Sequence, residues 1–333
     1  MNVKKNLFPK SVIFGLKGYQ LTNEEKEVFQ NINPLGFILF ERNCKNFKQT
    51  KLLVKELKQH VKHDSPLVMI DQEGGRVSRI NYSESVVFES ARKFGEILEK
   101  NMELGIRALS LHTMLIACSL KEVGININTI PVLDISSKNE SGVIGNRSYS
   151  CKKEIAAEAG RIVIESLSTN GVAPVIKHIP GHGRAKVDSH FDLPVVETTI
   201  SELKDIDFYP FIRNRDVDLA MTAHIVYNDI DPDQPVTLSK KAISKIIRDN
   251  IGFKGLIMTD DISMKAIRLS AAEASAKSLD AGCDLVLHCN GKIKEMELIA
   301  EKINDESNRI GIPDNLIKIF GIKSVIQANE LKE

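Results

Sequence analysis

The chain has 333 residues, 42% hydrophobic and 27% charged, which is ample for a full core. By length alone it would fill about two domains, unless one (β/α)8 barrel of ~250 residues or more takes it all. A net charge of +1 with no long basic block excludes nucleic acid or an anionic membrane as the main partner. No apolar run approaches the ~20 residues that cross a bilayer. The Lys-rich start, broken by Pro9, lacks the apolar stretch and cleavage site of a signal peptide. Five cysteines without CxxC spacing favour reduced thiols in a cytoplasmic protein over disulfides or a zinc ribbon.

Short apolar runs alternate with helical segments, the pattern of a parallel sheet with crossover helices. The first run is Ser11 to Leu16, followed by Thr22-Asn-Glu-Glu25, whose spacing is that of a capping box opening a helix to about Asn31. Gly36 to Phe40 is the second, before an amphipathic helix from about Phe47 to Val61. Leu67 to Ile70 is the third, and it ends in the polar burst Asp71-Gln-Glu-Gly-Gly-Arg76. A long helical stretch to about Val123 leads to the fourth, Ile125 to Ile135, which Asn126 and Asn128 make irregular. Lys152 to Thr169 reads as a helix and Val172 to Ile176 as the fifth strand. The sixth, seventh and eighth are Leu219 to Ala223, Leu256 to Met258 and Leu285 to Leu287, ending at His224, Thr259-Asp-Asp261 and His288.

Polar residues follow strands three, five, six, seven and eight, as expected when one site is assembled on the C-terminal rim of a closed barrel. A doubly wound sheet would gather them at its switch point instead. The expectation is therefore an α/β fold, a single (β/α)8 TIM barrel spanning 1–333 without a second domain.

Three constellations carry chemistry: Asp71 to Arg79, Lys177 to His190, and Gly255 to Met264. A strand-end Asp such as Asp71 or Asp260 has a plain reading as a cap of the next turn. Lys177 and His178 end an apolar run, where uncompensated burial of charge would cost roughly several kcal/mol, so a carboxylate or ligand partner is expected. His182, between glycines, reads as a structural loop residue bonding the backbone. Asp188 and His190 stand two apart; in an extended segment their side chains point the same way, and the carboxylate can orient or charge the imidazole.

Lys177-His-Ile-Pro-Gly-His-Gly183 followed by Asp188-Ser-His190, with Asp71 to Arg76 upstream, Gly145-Asn-Arg-Ser-Tyr149 between and Thr259 to Met264 downstream, closely resembles the family 3 glycoside hydrolases. More narrowly it is similar to the single-domain bacterial β-N-acetylhexosaminidases of peptidoglycan recycling, over about Phe14 to His288. The resemblance implies that Asp260 is the nucleophile and His190 the general acid/base, with Asp188 as its partner. It implies that Asp71, Arg79, Arg147, Lys177 and His178 hold the hydroxyls of a terminal N-acetylglucosamine. It implies hydrolysis of N-acetylglucosaminyl muropeptides ending in anhydro-N-acetylmuramic acid, with no cofactor and no metal, by a cytoplasmic monomer. The chain departs from relatives at Ile179, Tyr149 and Asn250 and in lacking Trp, none of them a catalytic position.

Three other readings compete. One is a phosphorylase of the same family, since a His acid/base repels phosphate less than a Glu would. Another is a metal-dependent amidohydrolase using His178, His224 and Asp260, against which stand the missing His-x-His on strand one and Lys177 beside His178. The third, a non-catalytic sugar-binding barrel, has no reason to keep Asp260 together with Asp188 and His190.

Overall fold

A computed structural model describes residues 9–63, 65–82, 86–136, 143–185 and 193–303. Asp188 and His190 lie outside the described residues. The strands are β1 Lys10–Gly15, β2 Pro34–Leu39, β3 Leu67–Ile70, β4 Ile127–Asn128, β5 Ala173–Pro174, β6 Ile176–Ile179, β7 Val195–Val196, β8 Leu219–Thr222, β9 Val226–Tyr227, β10 Leu256–Asp261 and β11 Leu285–His288. All except β7 and β9 belong to one parallel sheet in the order β5-β4-β3-β2-β1-β11-β10-β8-β6. The sheet closes because β5 and β6 are two halves of one extended stretch, separated only by Val175. Residues 173–174 pair with β4, and residues 176–179 pair with β8. The fourth stretch also reaches the second half directly, with Lys177 N donating to Pro131 O at 3.2 Å and Leu133 N to Lys177 O at 2.8 Å. The eight stretches expected from sequence therefore form a TIM barrel. The remaining pair, β7 with β9, is a separate two-stranded ribbon.

Side-chain alternation sorts the core into two layers. Ile13, Ile38, Met69, Ile127, Val175, Met221, Met258 and Leu287 fill the barrel interior. Their neighbours Val12, Phe14, Phe37 and Val68 point outward and pack under the helices. Both faces are covered, which is why these strands read as continuous apolar runs. The fourth strand is regular only at Ile127–Asn128. Its asparagines serve neighbouring backbone instead, Asn126 Oδ1 accepting from Val68 N at 2.7 Å and Asn128 Oδ1 from Gln72 N at 3.0 Å.

The helices are α1 Asn23–Ile32, α2 Phe47–Gln59, α3 Ala91–Lys100, α4 Met102–Val123, α5 Lys153–Thr169, α6 Ile200–Asp205, α7 Tyr209–Arg213, α8 Ala271–Ala281 and α9 Ile293–Lys302, with a π-helical segment at Ala242–Ile251. The capping box read at Thr22 and Glu25 is formed, and Ser270 with Glu273 makes a second one on α8. The expected long helical stretch is two helices, broken at Asn101, which caps α4 by accepting from Leu104 N. By length and composition α4 is apolar enough to cross a membrane, contrary to the sequence reading. Leu109, Ile116, Ala117 and Leu120 of α4 are buried in the layer between barrel and helices, whereas Leu104, Leu111, Met114 and Leu115 are exposed, so core burial accounts for only part of its hydropathy.

Candidate active site

One pocket opens at the C-terminal ends of the strands, with a volume of about 170 Å³. Asp71, Glu73, Arg79, Arg147, Lys177, His178, His182, Asp260 and Asp261 supply its polar lining. All six of the described residues that sequence assigned to the site meet here, although Asp71 and Asp260 are 189 positions apart in the chain.

The first wall is built from the loop after β3. Gln72 organises it, its Oε1 accepting from Arg79 N at 2.8 Å and Ile80 N at 3.0 Å. Gly74 lies at φ +90°, and a Cβ there would meet Glu89 O at 2.2 Å, so the turn needs glycine. The loop swings Arg79 back so that its Nη2 donates to Asp71 Oδ2 at 3.3 Å. Asp71 Oδ1 accepts from Lys177 Nζ at 3.2 Å and from the Thr129 hydroxyl. Lys177 is only 2% exposed and has three partners, the others being Glu73 Oε1 at 2.6 Å and Thr129 Oγ1 at 2.9 Å. Arg147, on the 3-10 turn Gly145–Arg147, grips Glu73 with two bonds, Nε to Oε2 and Nη2 to Oε1, both 2.8 Å. Burial would raise both carboxylates, but the cations win. Lys177 and Arg79 hold Asp71 well below the usual carboxylate range, and Arg147 and Lys177 bring Glu73 down to about 2.

Asp134 ties down His178 and His182, the two histidines that line the pocket. It is fully buried, its Oδ2 lies 2.6 Å from His178 Nδ1, and its Oδ1 accepts from His178 N at 3.1 Å and His182 N at 2.6 Å. Burial opposes its ionisation, but His178 outweighs that and its pKa is lowered. A carboxylate facing Nδ1 puts the Nδ1 proton on His178 and leaves Nε2 for the pocket. His182 is more than a loop residue, because its ring lines the pocket 5.4 Å from that of His178. Burial, reinforced by His178, lowers its pKa to about 4. Gly183 follows because a Cβ would come within 1.7 Å of Ile135 O.

The opposite wall is the end of β10. Asp260 and Asp261 are adjacent but differently engaged. Asp261 is tied down: its Oδ1 accepts from Ser263 N at 3.0 Å and Cys289 N at 3.1 Å, and its Oδ2 from Ser263 Oγ at 2.8 Å. Asp260 Oδ1 accepts the Asp261 amide at 2.8 Å, and the side chain faces the pocket. Burial pushes its pKa up, but His224, His178 and Lys177 more than compensate, so it is an ionised carboxylate. Asp260 is thus the less engaged of the two carboxylates.

Asp134, Glu73 and His224 were not assigned to the site from sequence. Asp134 had a visible signal, since Pro131-Val-Leu-Asp134 is an apolar run ending in a carboxylate, as at Asp71 and Asp260. Of the imidazoles that a metal-dependent amidohydrolase would use, His224 is engaged at both nitrogens, by Thr237 Oγ1 at 2.7 Å and Asp261 O at 3.0 Å, whereas His178 is engaged by Asp134 at Nδ1 alone.

A closed barrel with an ionised carboxylate facing a cluster of cations, carboxylates and imidazoles at its C-terminal rim defines the class, an enzyme acting on a polar, many-hydroxyl substrate. Residues 10–319 match the model of the Glycosyl hydrolase family 3 N terminal domain. The chain is 34% identical over 285 residues to the β-hexosaminidase of Haemophilus influenzae, covering 84% of this chain and 79% of that one. It is 31% identical over 288 residues to the β-hexosaminidase of Bordetella avium, covering 85% and 81%. It superposes on NagZ of Neisseria gonorrhoeae in complex with N-trifluoroacetyl-D-glucosamine with a TM-score of 0.83 and 30% identity, over 94% of this chain and 89% of that one. The chain belongs to glycosyl hydrolase family 3, with its β-hexosaminidases, and is a glycoside hydrolase.

Proposed function

We propose that this enzyme is a retaining exo-β-N-acetylglucosaminidase that removes terminal N-acetylglucosamine from muropeptide fragments ending in anhydro-N-acetylmuramic acid, in cytoplasmic peptidoglycan recycling. The observation that carries the reading is the division of the pocket, an ionised Asp260 on one wall facing the Asp71, Arg79, Arg147, Lys177 and His178 cluster on the other. Its volume is below the ~300–1,000 Å³ of pockets for drug-sized ligands, as suits one sugar ring. The cluster offers charged donors and acceptors to the ring hydroxyls.

In the first step an Asp260 oxygen attacks the anomeric carbon, the glycosidic C–O bond breaks, and the leaving oxygen takes a proton from His190. In the second, water gives a proton to His190 and attacks the same carbon, releasing Asp260. An imidazole of unperturbed pKa ~6.5 can do both near neutrality, and Asp188 would fix its tautomer.

A panel of aryl N-acetylglucosaminide, glucoside and N-acetylgalactosaminide, assayed with and without phosphate, tests the reading. Free N-acetylglucosamine as product in both buffers supports it, whereas a sugar phosphate would make the enzyme a phosphorylase. His190→Ala should lose far more kcat/KM on a natural disaccharide than on a dinitrophenyl glycoside, and release a burst of phenol before slow turnover. Equal losses without a burst would place the acid/base elsewhere.

A further inference from the structure

Among the described residues no hydrogen bond joins His224 to the cations and carboxylates of the sugar-facing wall, yet it is fully buried and acts electrostatically on Asp260. Its bonds have a fixed direction. The Asp261 carbonyl, 3.0 Å from Nε2, can only accept, so Nε2 carries the proton. In a neutral ring Nδ1 must then accept, and the Thr237 hydroxyl donates to it at 2.7 Å in preference to its other acceptor, Ala223 O, which lies farther away at 3.3 Å. Thr222 Oγ1 stands 2.8 Å from Thr237 Oγ1 and completes the series as its donor. Thr222 and Thr237 are also fully buried, so no water competes for these bonds. Burial lowers the pKa of His224, the charges of Asp260 and Asp261 notwithstanding, so the ring is neutral as the bonding requires.

The series ends where it matters. The Asp261 carbonyl takes the His224 proton and the Asp261 amide donates to Asp260 Oδ1, so residue 261 is held by its carbonyl and in turn orients the carboxylate before it. The 3-10 turn Val236–Leu238 that carries Thr237 is fastened to the same rim by Val236 N donating to Ile225 O at 2.8 Å. We propose that His224 is a positioning residue, the last link of a Thr222, Thr237, His224 relay that holds the end of β10 so that Asp260 is aimed at the anomeric carbon. The proposal rests on the reading of Asp260 as nucleophile.

The test uses steady-state and burst kinetics on a dinitrophenyl N-acetylglucosaminide. His224→Leu should lower kcat by about 10- to 100-fold, as for a lost buried hydrogen bond that leaves its partner unpaired, with KM changed by less than about threefold. It should show no phenol burst, because the slowed step is attack by Asp260. The two amides separate positioning from bulk. A Gln amide reaches the place of Nε2 and can still donate to the Asp261 carbonyl, whereas an Asn amide reaches only the place of Nδ1. His224→Gln should therefore recover most of kcat and His224→Asn should not. Thr237→Val, which keeps the imidazole but removes the donor to Nδ1, should lose less, about fivefold. Equal kcat for the Gln and Asn variants, or wild-type kcat in Thr237→Val, would overturn the proposal even if His224→Leu does not fold. Asp260→Asn run in parallel keeps the two questions apart. If it is inactive while the His224 and Thr237 variants are normal, only the relay fails; if it is active, the nucleophile assignment itself falls.

Discussion

The two walls of the pocket are held by different physics. On the sugar-facing side, Lys177 and Arg147 tie Asp71 and Glu73 into a buried network of full charges. On the nucleophile side, the residues that hold Asp260 do so through an amide, a carbonyl, an imidazole and two hydroxyls. Charges removed from water are stable only in pairs, so loss of one partner strands the other, whereas a lost neutral bond strands a single dipole. The binding wall should therefore be where substitutions unfold the enzyme. The nucleophile wall should be where they stop it while leaving it folded.

Asp260→Asn gives the sharpest contrast. It should lower turnover by roughly 10³-fold or more, because an amide cannot form the covalent intermediate, with little change in thermal midpoint. A variant that keeps near wild-type turnover would break the assignment. Lys177→Met should do the reverse in kind. Removing a cation 2% exposed from two carboxylates should destabilise the protein by about 3–5 kcal/mol, read from denaturant midpoints, in addition to weakening kcat/KM. Unchanged stability would mean the network is looser than its distances indicate.

Acid should attack the same wall. Glu73 has its folded pKa depressed from 4.5 to about 2, so the stability it contributes is complete above pH 4.5 and is lost as pH falls toward 2. Circular dichroism of wild type against Glu73→Gln should show the acid limb flattened in the variant. A histidine on neither wall supplies the smallest effect. His112 is packed between Phe88 and Phe94, ring centroids 5.5 and 4.3 Å away, and its Nε2 has no hydrogen-bond partner among the described residues. Burial lowers its pKa from 6.5 to about 4, so the unfolded chain binds the proton more readily and stability falls as pH drops from 6.5 to 4. His112→Phe should remove part of that fall and add about 1 kcal/mol at neutral pH. An identical pH profile in the variant would move the effect to His182, whose pKa is lowered in the same way.

Much of this was legible in the sequence because barrel strands bury both faces and end abruptly in polar residues, which marks Asp71, Lys177 and Asp260 at once. The fourth stretch pairs at Ile127–Asn128 and again at Val132 and Leu133, and Asn126 and Asn128 bond the neighbouring backbone along it, an interruption that hydrophobicity alone does not place. The bonds of Thr222 with Thr237, Thr237 with His224 and His224 with Asp261 left no local signature, since each joins residues far apart in the chain and a lone buried threonine looks like any other core residue. Asp134 could have been found by asking of every strand end the question asked of Asp71. The bonds of Ser263 and Cys289 to Asp261 could not, and they are what makes two adjacent aspartates of identical chemistry differ physically.

Phe40, at the pocket mouth, has the Arg42 guanidinium 4.6 Å and the Arg79 guanidinium 5.5 Å from its ring centroid. Arg79 also reaches Asp71, so this ring is coupled to the sugar-facing wall without being one of its polar groups. The chain contains no Trp. An indole placed at residue 40 would be the protein's sole long-wavelength emitter, seated beneath a cation that a bound sugar would draw on. Phe40→Trp thus turns the pocket mouth into an optical gauge of occupancy, in which ligand arrival is seen as a change in emission with no chemical step required.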